Sequence, residues 1–377
     1  MGDVFGMKFS VSQDQFQQAI AAVQRATATR VIQPILGHIL IENVGTDQLR
    51  LSATDLDFAI ETTVPAMILE PGKTTIAAKK LLEMISKLPK DTIIVDANLE
   101  TQTARIQCGS SVFDVRTLPA EEFPVIKQID KEQAVEVSLE SFNRAVQHTV
   151  FAAASYEANN VLGGVFFKLS GTQLEMAATD GSRLARCVES LEGSSVSETV
   201  SAIIPAKTLQ EFSKLVGSSQ DTTLRVAIKD GQIAFRTSHF YLLSRLLDGQ
   251  YPQYEQLIPK DFKIIAYANR QALIHSLERA AVMANERTNL VKMTFDKGNL
   301  SLMAQTPDVG DSKDNVDIQY EGEEMNIAFN YKFVLDALKV IESDDVRMEL
   351  NGGVSPTLFK AKEENGYLCL VMPVQVK

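Results

Sequence analysis

The sequence predicts an α+β fold of three similar domains, each a strand–helix–strands unit used twice. Three observations lead there. The segment Ile35-Leu-Gly-His-Ile-Leu-Ile41 returns as Val161-Leu-Gly-Gly-Val-Phe-Phe167 and as Asn289-Leu-Val-Lys-Met-Thr-Phe295, setting Leu36, Leu162 and Leu290 apart by 126 and 128 residues. Independently, Phe113-Asp-Val-Arg-Thr-Leu118, Tyr241-Leu-Leu-Ser-Arg-Leu246 and Tyr367-Leu-Cys-Leu-Val-Met372 space their leading aromatics by 128 and 126 residues. The proline-bearing stretches Pro119–Asp130 and Asp248–Pro259 fall where an extended chain leaves one repeat and enters the next. Two anchors with one period mean a triplication, and a domain-sized period excludes a solenoid of short repeats. The expected domains are residues 7–126, 135–259 and 262–377.

The first element is the strand-like run Met7-Lys-Phe-Ser-Val11; residues 1–6 ahead of it read as a short extension without a role. A helix over Asp14–Ala28 follows, with Phe16, Ile20 and Val23 at helical spacing and Ser12 placed to cap it. Alternation in Gln48–Ala53 marks a half-buried strand, echoed by Gln173–Ala178. The second helix spans Ala78–Leu88, with Leu81, Leu82, Ile85 and Leu88 on one face. The second domain offers helices at Leu139–Phe151 and Ala206–Val216, and the third at Arg270–Met283 and Tyr331–Ile341. Two helices per domain on a background of antiparallel strand make the sheet dominant.

Hydrophobic residues at 45% and charged residues at 23% are values of a soluble globular protein, and 377 residues fit two or three domains. A net charge of −11 argues against wholesale coating of nucleic acid or anionic membrane. The charge is segregated, however. The helical windows 14–30, 78–90, 138–152, 205–216, 269–287 and 330–342 hold 14 Lys and Arg against 8 Asp and Glu, a net of +6, which leaves −17 for the remainder. Helices gathered on one side would make that side fit for a polyanion such as DNA. Lysines that complement helix macrodipoles would give the same count, so charge alone leaves both readings open.

Much chemistry is absent from the sequence. Cys108, Cys187 and Cys369 are far apart, which excludes a cysteine-built zinc site and a disulfide framework and suits a reducing cytoplasm. His38, His148, His239 and His275 show no ligand-like spacing, so they read as surface or core residues. No apolar run approaches the roughly 18 residues needed to span a bilayer, and the start lacks the pattern of a signal peptide. No phosphate-cradling glycine loop and no nucleophile elbow occurs. Thr54-Asp-Leu-Asp57 and Thr179-Asp-Gly181 could be carboxylates for a metal, but their recurrence at matching places favours a structural turn.

Taken together, Met7-Lys-Phe, Pro34-Ile-Leu-Gly, Thr54-Asp-Leu, Leu118-Pro-Ala-x-x-Phe-Pro124, Ala178-Thr-Asp-Gly-x-Arg-Leu184 and Val371-Met-Pro373 resemble the bacterial sliding-clamp family, the beta subunits of DNA polymerase III. The resemblance runs in order from Met7 to the C-terminus. It implies a DNA clamp fold in which the chain forms half of a ring, closed by a head-to-tail homodimer, with twelve helices lining the hole and sheets outside. It implies a non-enzymatic processivity factor without cofactor or metal that encircles duplex DNA independently of sequence. The implied partners are the replicative polymerase subunit, the clamp loader, repair polymerases and other proteins with short Leu/Phe-containing motifs.

By the same resemblance Arg30, Lys79, Lys80 and Lys207 are DNA contacts, and Tyr156 and Asn160 lie in a DNA-facing loop where Tyr156 stands for an expected glutamine and Asn160-Val161 for a tyrosine pair. The implied partner cleft comprises Leu162, Thr179, Gly181, Ser182, Arg183, Leu184, Pro252, Leu257, Val371, Met372, Pro373 and Val374. Gln256 replaces a common arginine there, Pro356 a common serine, and the tail ends Val374-Gln-Val-Lys377, which shifts the expected peptide preference. The implied dimer seam pairs Phe113 and Val115, on an edge strand, with Val282 and Met283 of the other subunit, and the acidic segment Asp308–Asp317 is placed to add charge pairing. Two other readings remain: a carboxylate-metal enzyme using Asp55, Asp57 and Asp180, and a replication scaffold that never encircles DNA.

Overall fold

Six times over, a strand leads into a helix and the helix into three antiparallel strands. The computed structural model describes residues 6–28, 33–129, 134–155, 160–191, 195–217, 219–363 and 366–375. In chain order the first third holds β1 (Gly6–Ser12), α1 (Gln13–Gln24), β2 (His38–Val44), β3 (Gln48–Thr54), β4 (Phe58–Pro65) and an added β5 (Met67–Glu70). It continues with β6 (Lys73–Ala77), α2 (Ala78–Ile85), β7 (Thr92–Asn98), β8 (Thr103–Cys108) and β9 (Ser111–Leu118). The central third holds β10 (Val135–Ser138), α3 (Leu139–Thr149), β11 (Gly164–Gly171), β12 (Gln173–Thr179) and β13 (Arg183–Ser190). Its second half is β14 (Val196–Pro205), α4 (Ala206–Val216), β15 (Thr223–Lys229), β16 (Gln232–Arg236) and β17 (Phe240–Arg245). The last third holds β18 (Ile264–Asn269), α5 (Arg270–Ala281), β19 (Leu290–Asp296), β20 (Asn299–Thr306) and β21 (Gly310–Gln319). It closes with β22 (Met325–Asn330), α6 (Tyr331–Lys339), β23 (Asp345–Leu350), β24 (Thr357–Ala361) and β25 (Tyr367–Val371).

Most helices end earlier than their apolar spacing suggests, because local bonds divert the chain. After α1, Thr27 Oγ1 donates to Gln24 O at 2.7 Å and the Ala28 N–H turns to Leu36 O at 3.1 Å. Ser12 holds the N-cap position of α1 without a side-chain bond, contrary to the expected cap. Instead the Gln13 amide donates to Ile85 O at 2.8 Å, tying the start of α1 to the end of α2. Asn269 and Asn330 do cap α5 and α6, accepting from Ala272 N–H at 2.9 Å and Lys332 N–H at 3.1 Å.

Two sheets result. One runs β10-β15-β16-β17-β4-β3-β2-β6-β9-β8-β7-β1-β5, the other β14-β11-β12-β13-β25-β24-β23-β18-β21-β20-β19-β22. They coincide with two compact units, Met1–Leu139 with Lys214–Leu246, and Glu140–Ser213 with Leu247–Lys377. Packing and repeat thus divide the chain differently: the strands of the central third are shared out between the two sheets. Within the first unit Phe9 meets Phe16 edge-on at 6.0 Å; within the second, Phe142 of α3 meets Phe212 of α4 at 5.1 Å and Phe329 meets Phe359 at 6.2 Å.

One sequence anchor repeats the strand but not the face. Tyr367 pairs with Cys187 and its hydroxyl donates to Ala337 O of α6, on the helix side. Tyr241 pairs with Glu61 and its hydroxyl donates to Lys127 O, on the opposite side. The structural counterpart of Tyr367 is Phe240, which pairs with Thr62. With side chains alternating at period two, a slip of one residue reverses the face.

Candidate functional site

In the second unit the sheet face turned away from the helices carries an apolar cluster of Ala177, Leu184, Ile203, Tyr251, Tyr254, Leu358 and Leu370, against which Val161, Leu162, Phe166, Leu247, Ile258, Phe262 and Leu368 pack. The connector after β17 is held down on it by two phenols. Tyr251 OH accepts from the Thr179 N–H at 3.1 Å, and Tyr254 OH donates to Glu175 Oε1 at 2.8 Å. Burial pushes the Tyr251 phenol up to about 12, and burial with the neighbouring Glu175 raises Tyr254 further, so both remain protonated. Beyond β25 the Met372 N–H donates to Ser182 O at 2.9 Å and the Val374 N–H to Ala328 O at 2.7 Å, laying the tail beside the turn 180–182. Leu162 and Pro373 are half-buried, while Pro252, Leu257, Met372 and Val374 are exposed. Leu184 and Leu370 are buried and floor the site rather than line it; Val371, also buried, is out of step with Leu370 and shares the helix-side face of Tyr367, so it does not belong to the cleft face as expected. The sequence missed Ile203 and Leu358, which no motif marks, and Phe166, which the repeat segment Val161–Phe167 contains without showing its face; Tyr251 and Tyr254 were visible as the aromatics of the connector.

The turn that joins β12 to β13 is built by Thr179 and Asp180. Thr179 Oγ1 donates to Arg183 O at 2.6 Å and accepts from the Gly181 N–H, while Asp180 Oδ1 accepts from the Ser182 and Arg183 N–H groups. Thr54 and Asp55 repeat each bond, with Phe58 O, the Leu56 N–H and the Asp57 and Phe58 N–H groups. The pair of motifs is therefore a turn, as the recurrence suggested, and its carboxylates are occupied; Asp57 lies 3.2 Å from Arg245. Arg183, 10% exposed, is fully engaged: Asp180 at 3.0 Å, Asp336 at 2.6 Å, Phe151 O at 2.6 Å and the Phe333 ring at 4.4 Å. It acts on the site by holding the turn.

Lys79 and Lys80 stand in the first turn of α2, and Lys207 in the first turn of α4; all three are exposed, and Lys80 reaches Glu83 at 2.9 Å. That is the positive end of the helix dipole, where a cation costs about 0.3–1 kcal/mol instead of stabilising. Complementing the macrodipole, the plainer account of the helical charge, therefore fails for these lysines. A helix N-terminus with an added ammonium attracts anions. Asn160 Oδ1 accepts from the Leu162 N–H at 2.8 Å and so shapes the turn that presents Leu162. Arg30 and Tyr156 lie outside the described residues.

Besides the strands that end each sheet, β5, β10, β14 and β22, two inner strands keep an edge open over most of their length among the described residues. β9 pairs with β8 from Ser111 to Arg116 but with β6 only at Thr117 and Leu118, leaving 111–116 unpaired on one side. β21 pairs with β20 from Gly310 to Asp317 but with β18 only at Ile318 and Gln319. Phe113 and Val115 lie half-buried on the first edge. Val282, 76% exposed, and half-buried Met283 follow α5, which packs against β21. Asp314 is ion-paired with Arg279 of the same chain, so Asp311 and Asp317 are the exposed acids of that edge.

Two polar clusters invite a catalytic or metal reading. His148, Cys187 and Glu189 bring their ligand atoms within 4.8 Å of one another. Arg144, however, grips Glu189 with two bonds of 2.7 and 2.6 Å, His148 Nε2 lies 2.7 Å from Val340 O, and burial raises the Cys187 thiol far above its usual range. This is a satisfied buried network, in which His148 is a core residue. In the first unit Ser238, His239 and Asp221 meet, but Ser238 Oγ and Asp221 both reach the same ring atom, His239 Nδ1. A relay needs the serine and the carboxylate on opposite nitrogens.

Comparison with known proteins bears on all of this. Residues 7–127, 136–253 and 255–375 match, in turn, the N-terminal, central and C-terminal domains of the DNA polymerase III beta subunit. The chain is 34% identical to the beta sliding clamp of Synechocystis and 31% identical to that of Synechococcus elongatus, each over 98% of this chain and all of the relative. Among solved structures, the sliding clamp of Bacillus subtilis superposes with a TM-score of 0.90 at 29% identity, and that of Pseudomonas aeruginosa bound to griselimycin with 0.91 at 28%. Each comparison covers 98% of this chain and all of the other.

Proposed function

Since this chain belongs to the DNA polymerase III beta-subunit family, the sliding clamps, we propose that two copies join head to tail into a ring around duplex DNA. The family serves DNA replication as a non-catalytic processivity factor, which sets aside a carboxylate-metal enzyme. The observation that carries the ring is a pattern of strand pairing. β4 pairs with β17 and β13 with β25, each time the third strand after one helix against the third strand after another. β21 and β9 are the remaining strands of that kind, and both keep an open edge. A second copy gives each its partner and removes two exposed edges. Exposed Arg116 on β9 and exposed Asp311 and Asp317 on β21 supply opposite charges. Phe113 and Val115 would meet Val282 and Met283 across this seam.

Lys79, Lys80 and Lys207, with Arg30 and the loop of Tyr156 and Asn160, then meet DNA phosphates without reading sequence, and topology rather than affinity retains the ring. The cleft floored by Leu184 and Leu370, with Leu162, Thr179, Gly181, Ser182, Pro252, Leu257, Met372, Pro373 and Val374 around it and Arg183 holding its turn, takes short Leu/Phe-bearing segments. Those segments belong to the replicative polymerase, clamp loader and repair polymerases in the cytoplasm. Three clamp domains, 7–126, 135–259 and 262–377, each span one repeat. The test is retention by loaded nicked circular DNA with release on linearisation; retention indifferent to DNA ends would favour a scaffold that never encircles DNA.

A further inference from the structure

On the helix side of the β4–β17 junction the first unit encloses a cavity of about 370 Å³, which shares no lining residue with the cleft or with the open edges of β9 and β21. We propose that this cavity binds a free nucleoside of the adenosine type, whose base bears an amino group beside a ring nitrogen. One wall is a stripe of α1, where Gln15, Gln18, Ala19 and Ala22 fall at i, i+3, i+4 and i+7 on a single face. Ala19, Val64 and Phe240 make a buried apolar floor. Gln15, Gln18, Gln220 and His239 make an exposed polar rim. The volume falls in the range of small-molecule sites, roughly 300–1,000 Å³, and an apolar floor with a few polar groups above it is how such sites are built. The frame also accommodates a flat ring here. Ala22 stands as far along α1 as His148 does along α3, and in the second unit the His148 imidazole stacks on Tyr367 at 4.7 Å.

Bonds already made within the protein fix what the lining groups offer a ligand. Thr62 Oγ1 donates its proton to His239 O at 2.8 Å, which leaves it an acceptor. Against its burial, hydrogen bonds from Ser238, His239, Thr237 and Ser219 hold the Asp221 carboxyl well below the usual carboxylate range, so it only accepts. Asp221 Oδ2 lies 2.9 Å from His239 Nδ1, and Ser238 donates its own proton to Oδ1. Nδ1 therefore carries the ring proton, and Nε2 of the neutral imidazole is a second acceptor. The Gln15 and Gln220 amides hold no hydrogen bond to another described residue, so each can present a donor and an acceptor side by side. An adenine edge meets one such amide with two bonds. The second N–H of its amino group answers a fixed acceptor, and the flat face of the base covers the apolar floor. A phosphate gains nothing there, because no Lys or Arg lines the cavity. The carboxylates behind the rim are Asp221 and Asp14; Gln18 bonds Asp14 at 3.2 Å, and Lys90 lies 3.7 Å from it.

The test is a calorimetric titration of the full-length protein with adenosine, set beside purine riboside, adenosine monophosphate and a short single-stranded oligonucleotide. Adenosine is expected to bind with a Kd below about 1 mM, about tenfold tighter than purine riboside, which lacks the amino group. The monophosphate should bind no tighter than adenosine. Ala22→His, which gives the first unit the ring that fills the second, should abolish binding, and Gln15→Leu on the exposed rim should weaken it about fivefold. No binding at about 1 mM adenosine, or equal binding of adenosine and purine riboside, would overturn the proposal. So would binding that neither substitution changes. Tighter binding of the monophosphate or the oligonucleotide would overturn the free nucleoside in favour of a phosphate-bearing ligand or a nucleic-acid strand.

Discussion

The β4–β17 junction of the first unit and the β13–β25 junction of the second share one plan and leave opposite faces open. Beneath β13–β25, on the helix side, His148, Cys187, Glu189 and Tyr367 fill the space, with His148 stacked on Tyr367 at 4.7 Å. Aligned through their cross-strand pairs, Thr62, Val64 and Phe240 hold the strand places in the first unit, and Ala22, as far along α1 as His148 is along α3, holds the helix place; a cavity of about 370 Å³ remains there. On the other face the order reverses. Ile129 closes over Ala59, Tyr241 and Leu243, and a pocket of only about 10 Å³ is left. Gln128, bonded to Glu61 at 2.7 Å and to Arg236 at 2.6 Å, seals its rim. In the second unit that face keeps Leu257, Met372 and Val374 exposed. A duplicated frame thus opens one face or the other through a handful of side chains, without a change of fold.

The largest expected effect comes from unbalancing the filled side. Arg144→Met strands Glu189, 7% exposed, without its cation, and should cost about 3 kcal/mol or more in urea unfolding. Next, His148→Ala copies the first unit into the second, opening a cavity and abandoning Val340 O, for a loss of about 2 kcal/mol. The reciprocal Ala22→His should change stability by less than about 1 kcal/mol, because it fills space that is already open to water.

The same histidine sharpens the comparison by pH. Burial lowers the His148 pKa from 6.5, opposed by the bond to Val340 O and the charges of Glu342 and Glu189, while Arg144 adds to the lowering. A group depressed in the folded state contributes stability above its unfolded pKa. Stability should therefore fall as the pH drops below about 6.5, and His148→Asn should flatten that part of the profile. The smallest effect concerns the paired turns. Gly181 has φ +89° and Leu56 has φ +83°, a region that strains a leucine. Leu56→Gly should stabilise by about 0.5 kcal/mol, and Gly181→Leu should destabilise by about 1 kcal/mol and weaken peptide binding in the cleft.

The sequence carried the repeat because a domain-sized copy preserves strand patterning, and α4 was legible to its ends as Ala206–Val216. Helix ends and faces were less so. Thr27 and Ala28 end α1 through bonds that no periodicity encodes, and Tyr241 and Tyr367 look equivalent in sequence while facing opposite ways. The residues around the apolar cluster were legible where motifs mark them, at Thr179–Leu184 and Met372–Pro373. They were hidden where they depend on long-range contact, as with Ile203, Leu358 and the occupied guanidinium of Arg183. The sign of the helix dipole at Lys79, Lys80 and Lys207 needed the observed helix starts.

Ring closure through the edges of β9 and β21 is tested most directly by solution mass measured together with small-angle scattering on one sample. Twice the chain mass of 41.5 kDa with the scattering of a hollow disc is the result expected. A compact particle of 41.5 kDa across the micromolar range would contradict it, because a single chain leaves both edges open and nothing to close around DNA.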